Sequence, residues 1–106
     1  MESEKWSKSE KAAARRAFDG AYERELNTII NDARAKLDGM KEPREIWSLC
    51  DYLNRKRKNI DEKYDFRYSV LVIVLARLVR EGWVAREEFN GLSAEKQQRI
   101  NLILGL

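Results

Sequence analysis

From about Ser7 to Gly39 the chain repeats apolar side chains in steps of three and four, and no proline interrupts them. Ala14, Phe18, Ala21, Tyr22, Leu26, Ile29, Ile30, Ala33 and Leu37 define one helical face. Ser7 and Glu10 have the spacing of a capping box at its start, and Gly39 is placed to stop it. A helix of roughly 30 residues is about 45 Å long. A compact domain of this size has a radius of gyration near about 13 Å, hence a diameter of about 33 Å. The helix overshoots its own domain. Its spare apolar face needs a cover, and a second copy of the chain is the commonest one.

The remainder also reads as helix. Pro43 suits the first turn of a second segment, in which Ile46, Leu49, Cys50, Leu53, Arg57 and Ile60 form an apolar stripe. The pattern loosens over Asp61 to Asp65, where a break is expected. Val70 to Leu75 has the β-propensity of a strand, but no second strand exists to pair with it, and Arg77 to Arg80 continue a helical pattern. A helix apolar all round is expected to be buried all round. Ser93 caps a last helix carrying Ile100, Ile103 and Leu104. The expected fold is therefore all-α in one domain, 1–106. A long N-terminal helix spans 6–40, a second 43–62, and an apolar third 66–82. C-terminal helices over 84–106 complete a head, and the whole is a dimer.

Composition narrows the chemistry. One Cys and no His deny the chain the usual zinc and transition-metal ligand sets and any Ser-His or Cys-His nucleophile. The five glycines are scattered singly, so no phosphate loop is formed. No enzyme activity, cofactor or metal is expected. Cys50 reads as a small buried hydrophobe in a reducing cytosol. The first six residues are polar and acidic, so no signal peptide is expected, and Met1 to Trp6 are expected to fray unless Trp6 is tied down. The longest apolar run is far short of the roughly 20 residues needed to cross a bilayer. The expected setting is cytoplasmic, without membrane insertion.

Several side chains invite a partner. Arg55-Lys56-Arg57-Lys58 can bind phosphates, but four consecutive residues spray around a helix at about 100° each, which favours a solvated or interface face over nucleic acid. Arg57 alone falls on the apolar stripe, where a carboxylate across a subunit boundary suits its planar donors; Asp51 is the candidate. Trp47 lies off the stripe beside Asp51 and Arg55, the aromatic-plus-arginine company that interfaces enrich, with packing against the long first helix as the equal alternative. Trp6 is read as a hydrophobic staple for the first helix.

One stretch carries a likeness. The string Ile46-Trp47-Ser48-Leu49-Cys50-Asp51-Tyr52-Leu53 is followed by Lys56-Arg57, Ile60-Asp61, Lys63-Tyr64-Asp65 and Arg67. Ala21-Tyr22-Glu23-Arg24-Glu25-Leu26 precedes it, and Glu81-Gly82 and Lys96-Gln97 follow. In this order and spacing the chain resembles the fluorescence recovery protein family. The resemblance implies an all-α homodimer without cofactor. In cyanobacteria, such proteins bind the photoactivated orange carotenoid protein, mainly at its C-terminal domain. They speed its return to the resting orange form and so restore phycobilisome fluorescence, a population shift with no covalent step. By position, Trp47, Asp51 and Arg57 match the family's patch on the helical core, and Ile73 and Arg99 match head positions that contact the carotenoid protein. The family pattern has His where Cys50 stands, an aromatic residue at Ile73 and Lys at Arg99. A homologous dimer in a non-photosynthetic bacterium, binding a different protein, is the alternative.

Overall fold

The computed structural model describes residues 5–105. Four helices follow one another: α1 (Lys8–Asp38), α2 (Ile46–Lys63), α3 (Leu71–Arg80) and α4 (Ala94–Leu104). Short 3₁₀ turns at Pro43–Glu45 and Arg86–Phe89 link them, and the described residues contain no strand. Ser7 opens α1 with both halves of a capping box: its hydroxyl accepts from the Glu10 N–H, and Glu10 accepts from the Ser7 N–H. Gly39 ends the helix while keeping a right-handed backbone. The third helix is shorter than the expected 66–82, because residues 64–67 are irregular and residues 68–70 form a turn. At its far end Gly82, φ 84°, makes the left-handed turn that an L side chain resists.

A hairpin and a head result. The distal half of α1 pairs with α2 to form the hairpin. The proximal half carries α3, the second 3₁₀ turn and α4, and the core lies there. Ala13, Ala14, Ala17, Phe18 and Ala21 from α1 meet Leu71, Leu75, Leu78, Val84, Phe89, Leu92 and Ile100. Small side chains let the head approach closely. A methyl group on Gly91 would come within 2.7 Å of Ala13 Cβ. The molecule measures 55 × 27 × 26 Å with a radius of gyration of 17.0 Å. That is well above the roughly 13 Å of a compact globule of this length. The hairpin projects from the head.

Three expectations are corrected. α3 is not buried on every side: Ile73, Arg77 and Arg80 point outward, because α3 sits at the edge of the head with α1 and α4 covering its other faces. Trp6 does not staple to the fourth helical residue, which is Lys11. It packs instead on Tyr68, ring centroids 5.6 Å apart, beneath the Lys96 ammonium. Cys50 is exposed in the chain. The reason is that α2 lies against α1 along one face, and Cys50 is on another. Fraying expected over Met1 to Trp6 falls, for Met1 to Glu4, outside the described residues.

Candidate functional site: two surfaces and a charged joint

α2 carries two apolar lines, and only one of them is used within the chain. Leu49, Tyr52, Lys56, Ile60 and Lys63, spaced at i, i+3, i+7, i+11 and i+14, are buried or half-buried against α1. Tyr52 donates its hydroxyl to Asp32 at 3.0 Å, while Lys36 and Lys56 lie over its ring. Ile46, Cys50, Leu53 and Arg57, at i, i+4, i+7 and i+11, form the second line, and all four are exposed. α1 repeats that spacing with Leu26, Ile30, Ala33 and Leu37, of which Ile30 and Leu37 are 45% and 53% exposed. The two lines meet where Leu26 comes near Leu53 and Arg57. Tyr22, Leu26 and Ile29 face Leu53, Arg57 and Ile60 across a shallow groove of about 320 Å³.

Trp47, Asp51 and Arg57 are all on α2 and all exposed, Trp47 at 69%. Arg57 therefore does not lie on a buried stripe. Its nearest carboxylate is Asp61 at 3.9 Å, with both side chains largely in solvent. Asp51 precedes Arg57 by six residues, which puts the two about 120° apart around the helix. A single copy does not pair them. Trp47 rims the exposed line, beside Cys50. Of the cationic run, Arg55, Arg57 and Lys58 are exposed and Lys56 is half-buried, so the charge is spread around the helix.

Ile73 and Arg99 belong to the head, apart from that trio. Ile73 is 57% exposed and begins an outward line with Arg77 and Arg80 on α3. Arg99 is exposed on α4, followed by exposed Leu102 and Ile103. Arg80 ties the two helices by donating to the Ile103 carbonyl at 2.8 Å. The head thus presents apolar side chains set among arginines. Leu102, 67% exposed, is a surface feature the sequence reading missed, although its offset from Ile100 and Ile103 signals an outward position.

The reading also missed two buried charge clusters. Where α2 ends, Lys63, its side chain 1% exposed, donates to Glu25 Oε2 at 2.7 Å and to Glu81 Oε1 at 2.6 Å. Tyr64 donates to the other Glu25 oxygen at 2.9 Å. Trp83 and Arg77 complete the shell of Glu81. Burial, and then the bond to the Glu25 carboxylate, push the Tyr64 phenol well above its usual range. Burial alone would raise the Glu81 carboxyl, but bonds from Lys63 and Arg77 outweigh it and leave it below the ordinary value. At the other end of the head, Glu10 accepts from the Ser7 and Ser93 N–H groups and pairs with buried Lys96 at 3.1 Å. The Ser7 bond contributes most to holding the Glu10 pKa at about 2, against the opposing effect of burial.

Among the described residues no group of Cys, Asp and Glu side chains could hold a metal ion, and no helix is long and apolar enough to cross a membrane. An exposed hairpin face and an arginine-framed head surface leave an all-helical protein with two surfaces open to contact. Residues 6–104 match the family described as "Photoprotection regulator fluorescence recovery protein". The fluorescence recovery protein of Synechocystis sp. PCC 6803 is 39% identical over 101 residues, spanning 95% of this chain and 93% of that one. The solved fluorescence recovery protein of Fremyella diplosiphon superposes with a TM-score of 0.89 at 41% identity, over 96% of this chain and all of the other. The Synechocystis structure gives 0.89 at 38%, with the same coverage. The chain belongs to the fluorescence recovery protein family.

Proposed function

We propose that this chain is a cytoplasmic homodimer that binds the photoactivated orange carotenoid protein and speeds its return to the resting orange form, ending photoprotective quenching without catalysing any covalent step. Membership in a photoprotection regulator family supports the setting. The single observation that carries the mode of action is the exposed line Ile46–Cys50–Leu53–Arg57 on α2 together with the partly exposed line Leu26–Ile30–Ala33–Leu37 on α1, with Leu26, Leu53 and Arg57 lining one groove. Two such faces pressed together repeat the knobs-and-holes geometry of helical bundles and remove from water the side chains that one copy leaves wet. Trp47 and Asp51 border that face, and Arg57 sits in it, positioned to meet a carboxylate of the second copy.

The head supplies the partner contact. Ile73 offers an apolar anchor, and Arg77, Arg80 and Arg99 frame it with cations that suit an acidic rim on the carotenoid protein. A partner held more tightly in its compact state than in its photoactivated state is drawn toward the compact one, by no more than that difference in affinity.

The deciding experiment mixes purified protein with photoactivated orange carotenoid protein and follows the red-to-orange absorbance change in darkness. Faster recovery, rising with the amount of added protein, is the expected result. No acceleration at molar excess points to the alternative, a family dimer serving another protein partner. The departures at Cys50, Ile73 and Arg99 keep that alternative in view.

A further inference from the structure

The head is joined to α1 by two buried lysines, one at each end. Lys96 of α4 pairs with Glu10, and Lys63 at the end of α2 pairs with Glu25 and with Glu81 at the end of α3. Both ammonium groups are almost wholly removed from water, at 6% and 1% side-chain exposure. Their carboxylates on α1 are fifteen residues apart, which is about 22 Å along the helix.

Between these two points the contact surface on α1 is mostly alanine: Ala13, Ala14, Ala17 and Ala21, with Phe18 the one large side chain. Apolar burial is non-directional, and a face of methyl groups offers few knobs to fix the angle of what rests on it. Hydrogen bonds are directional. Every polar atom of the Lys63 cluster is spoken for. Glu25 uses one oxygen for Lys63 and the other for Tyr64. Glu81 receives Lys63 and Trp83 on one oxygen and Arg77 on the other. Arg24, one residue before Glu25, adds a surface strap to the Trp83 carbonyl and to Glu88. Buried ion pairs as a class add little net stability over apolar replacements of similar volume, so holding a geometry is the better account of their presence here.

We infer that Glu25, Lys63 and Glu81 are positioning residues: they form an orientation lock that fixes the head against the hairpin, while Glu10–Lys96 anchors the far end of the head independently of that lock. The two partner surfaces stand on opposite sides of this joint, Trp47 and Arg57 on the hairpin, Ile73 and Arg99 on the head. Their mutual geometry is set by a group that itself touches no partner. For this functional consequence the inference rests on the two-surface reading above; the structural claim does not.

The test is Glu25→Gln/Lys63→Met, a pair that leaves no buried charge and keeps an acceptor for the Tyr64 hydroxyl. Amide hydrogen exchange is read segment by segment in the full chain. The lock predicts exchange at least about tenfold faster over residues 64–70 and 81–89. It predicts no change over residues 93–97 beside the Glu10–Lys96 anchor or over the hairpin, and an unchanged oligomer mass. Dark recovery of the carotenoid protein should slow in parallel. Unchanged exchange over 64–70 and 81–89 overturns the inference. So does acceleration spread evenly through hairpin and head, which would make the cluster an ordinary contribution to the core. Should the double variant not fold, Glu81→Gln removes one arm at a half-exposed position, and faster exchange over 81–89 alone is required of it. If the unaltered protein fails to speed recovery, the proposed function falls while the exchange pattern still decides the lock.

Discussion

Glu10 shows how one side chain can do several jobs on a short helix start. It closes the capping box, accepts from the Ser93 N–H and neutralises buried Lys96. Its pKa is lowered from 4.5 to about 2, so its folded form holds the proton less tightly than the unfolded form does. The stability it contributes is complete above pH 4.5 and is lost as pH falls toward 2. Melting temperature should therefore drop across that acid window, and Glu10→Gln should flatten the drop while lowering stability at neutral pH by about 1–3 kcal/mol. A thermal scan series from pH 2 to 7 checks both. Gly91 is a second residue whose role is steric. An added methyl in this turn before α4 would meet Ala13 Cβ of α1 at 2.7 Å, with no flexible tip to yield. Gly91→Ala should cost about 1–3 kcal/mol in denaturant unfolding. The signals for such roles were partly present in the residue order. Glu25 falls four residues after Ala21 and seven after Phe18, on the buried line of α1, and Lys63 falls three after Ile60 on that of α2. A charged residue in an apolar phase calls for a buried counter-charge. Which carboxylate supplies it depends on how the helices fold back on each other.

At the scale of elements, α2 is the informative one. Its composition reads as one wide apolar stripe, yet folding divides it into a line against α1 and a line left in water. Cys50 and Arg57 were expected to be buried because periodicity shows only that a face is apolar, without saying which neighbour covers it. Both are exposed. If the second line is a dimer face, Leu53→Glu places a charge in it and should shift light-scattering mass toward the monomer with helicity retained. Arg57→Leu is expected to weaken the dimer through loss of a partner carboxylate, measured by sedimentation. Wild-type behaviour in that variant would leave Arg57 as a solvated residue paired with Asp61. Trp47→Ala should weaken dimerisation or partner binding by roughly 2 kcal/mol or more, the size of a hot-spot truncation. α3 teaches the complementary lesson. Its continuous apolar run is real, but Ile73 faces outward because α3 lies at the edge of the head, packed on α1 and α4.

For the whole molecule, length and shape are the decisive quantities. A 31-residue first helix, about 46 Å long, supplies most of the 55 Å extent of a 12.5 kDa chain, whose radius of gyration of 17.0 Å is correspondingly large. Twice 12.5 kDa gives about 25 kDa for the expected dimer. Multi-angle light scattering at micromolar concentration should return that mass; a well-folded species near 12.5 kDa would remove the basis for the hairpin face as a dimer surface. The residue order by itself determined the all-helical class, the capping box at Ser7 and the excess length of α1, because these follow from local periodicity, propensity and helix rise. It could not determine the exposure of Ile73, Cys50 and Arg57, nor the convergence of Lys63, Glu25 and Glu81 from three helices. Those depend on which elements lie against which, and the sequence separations they span, 38 residues between Glu25 and Lys63 alone, are closed only by tertiary packing.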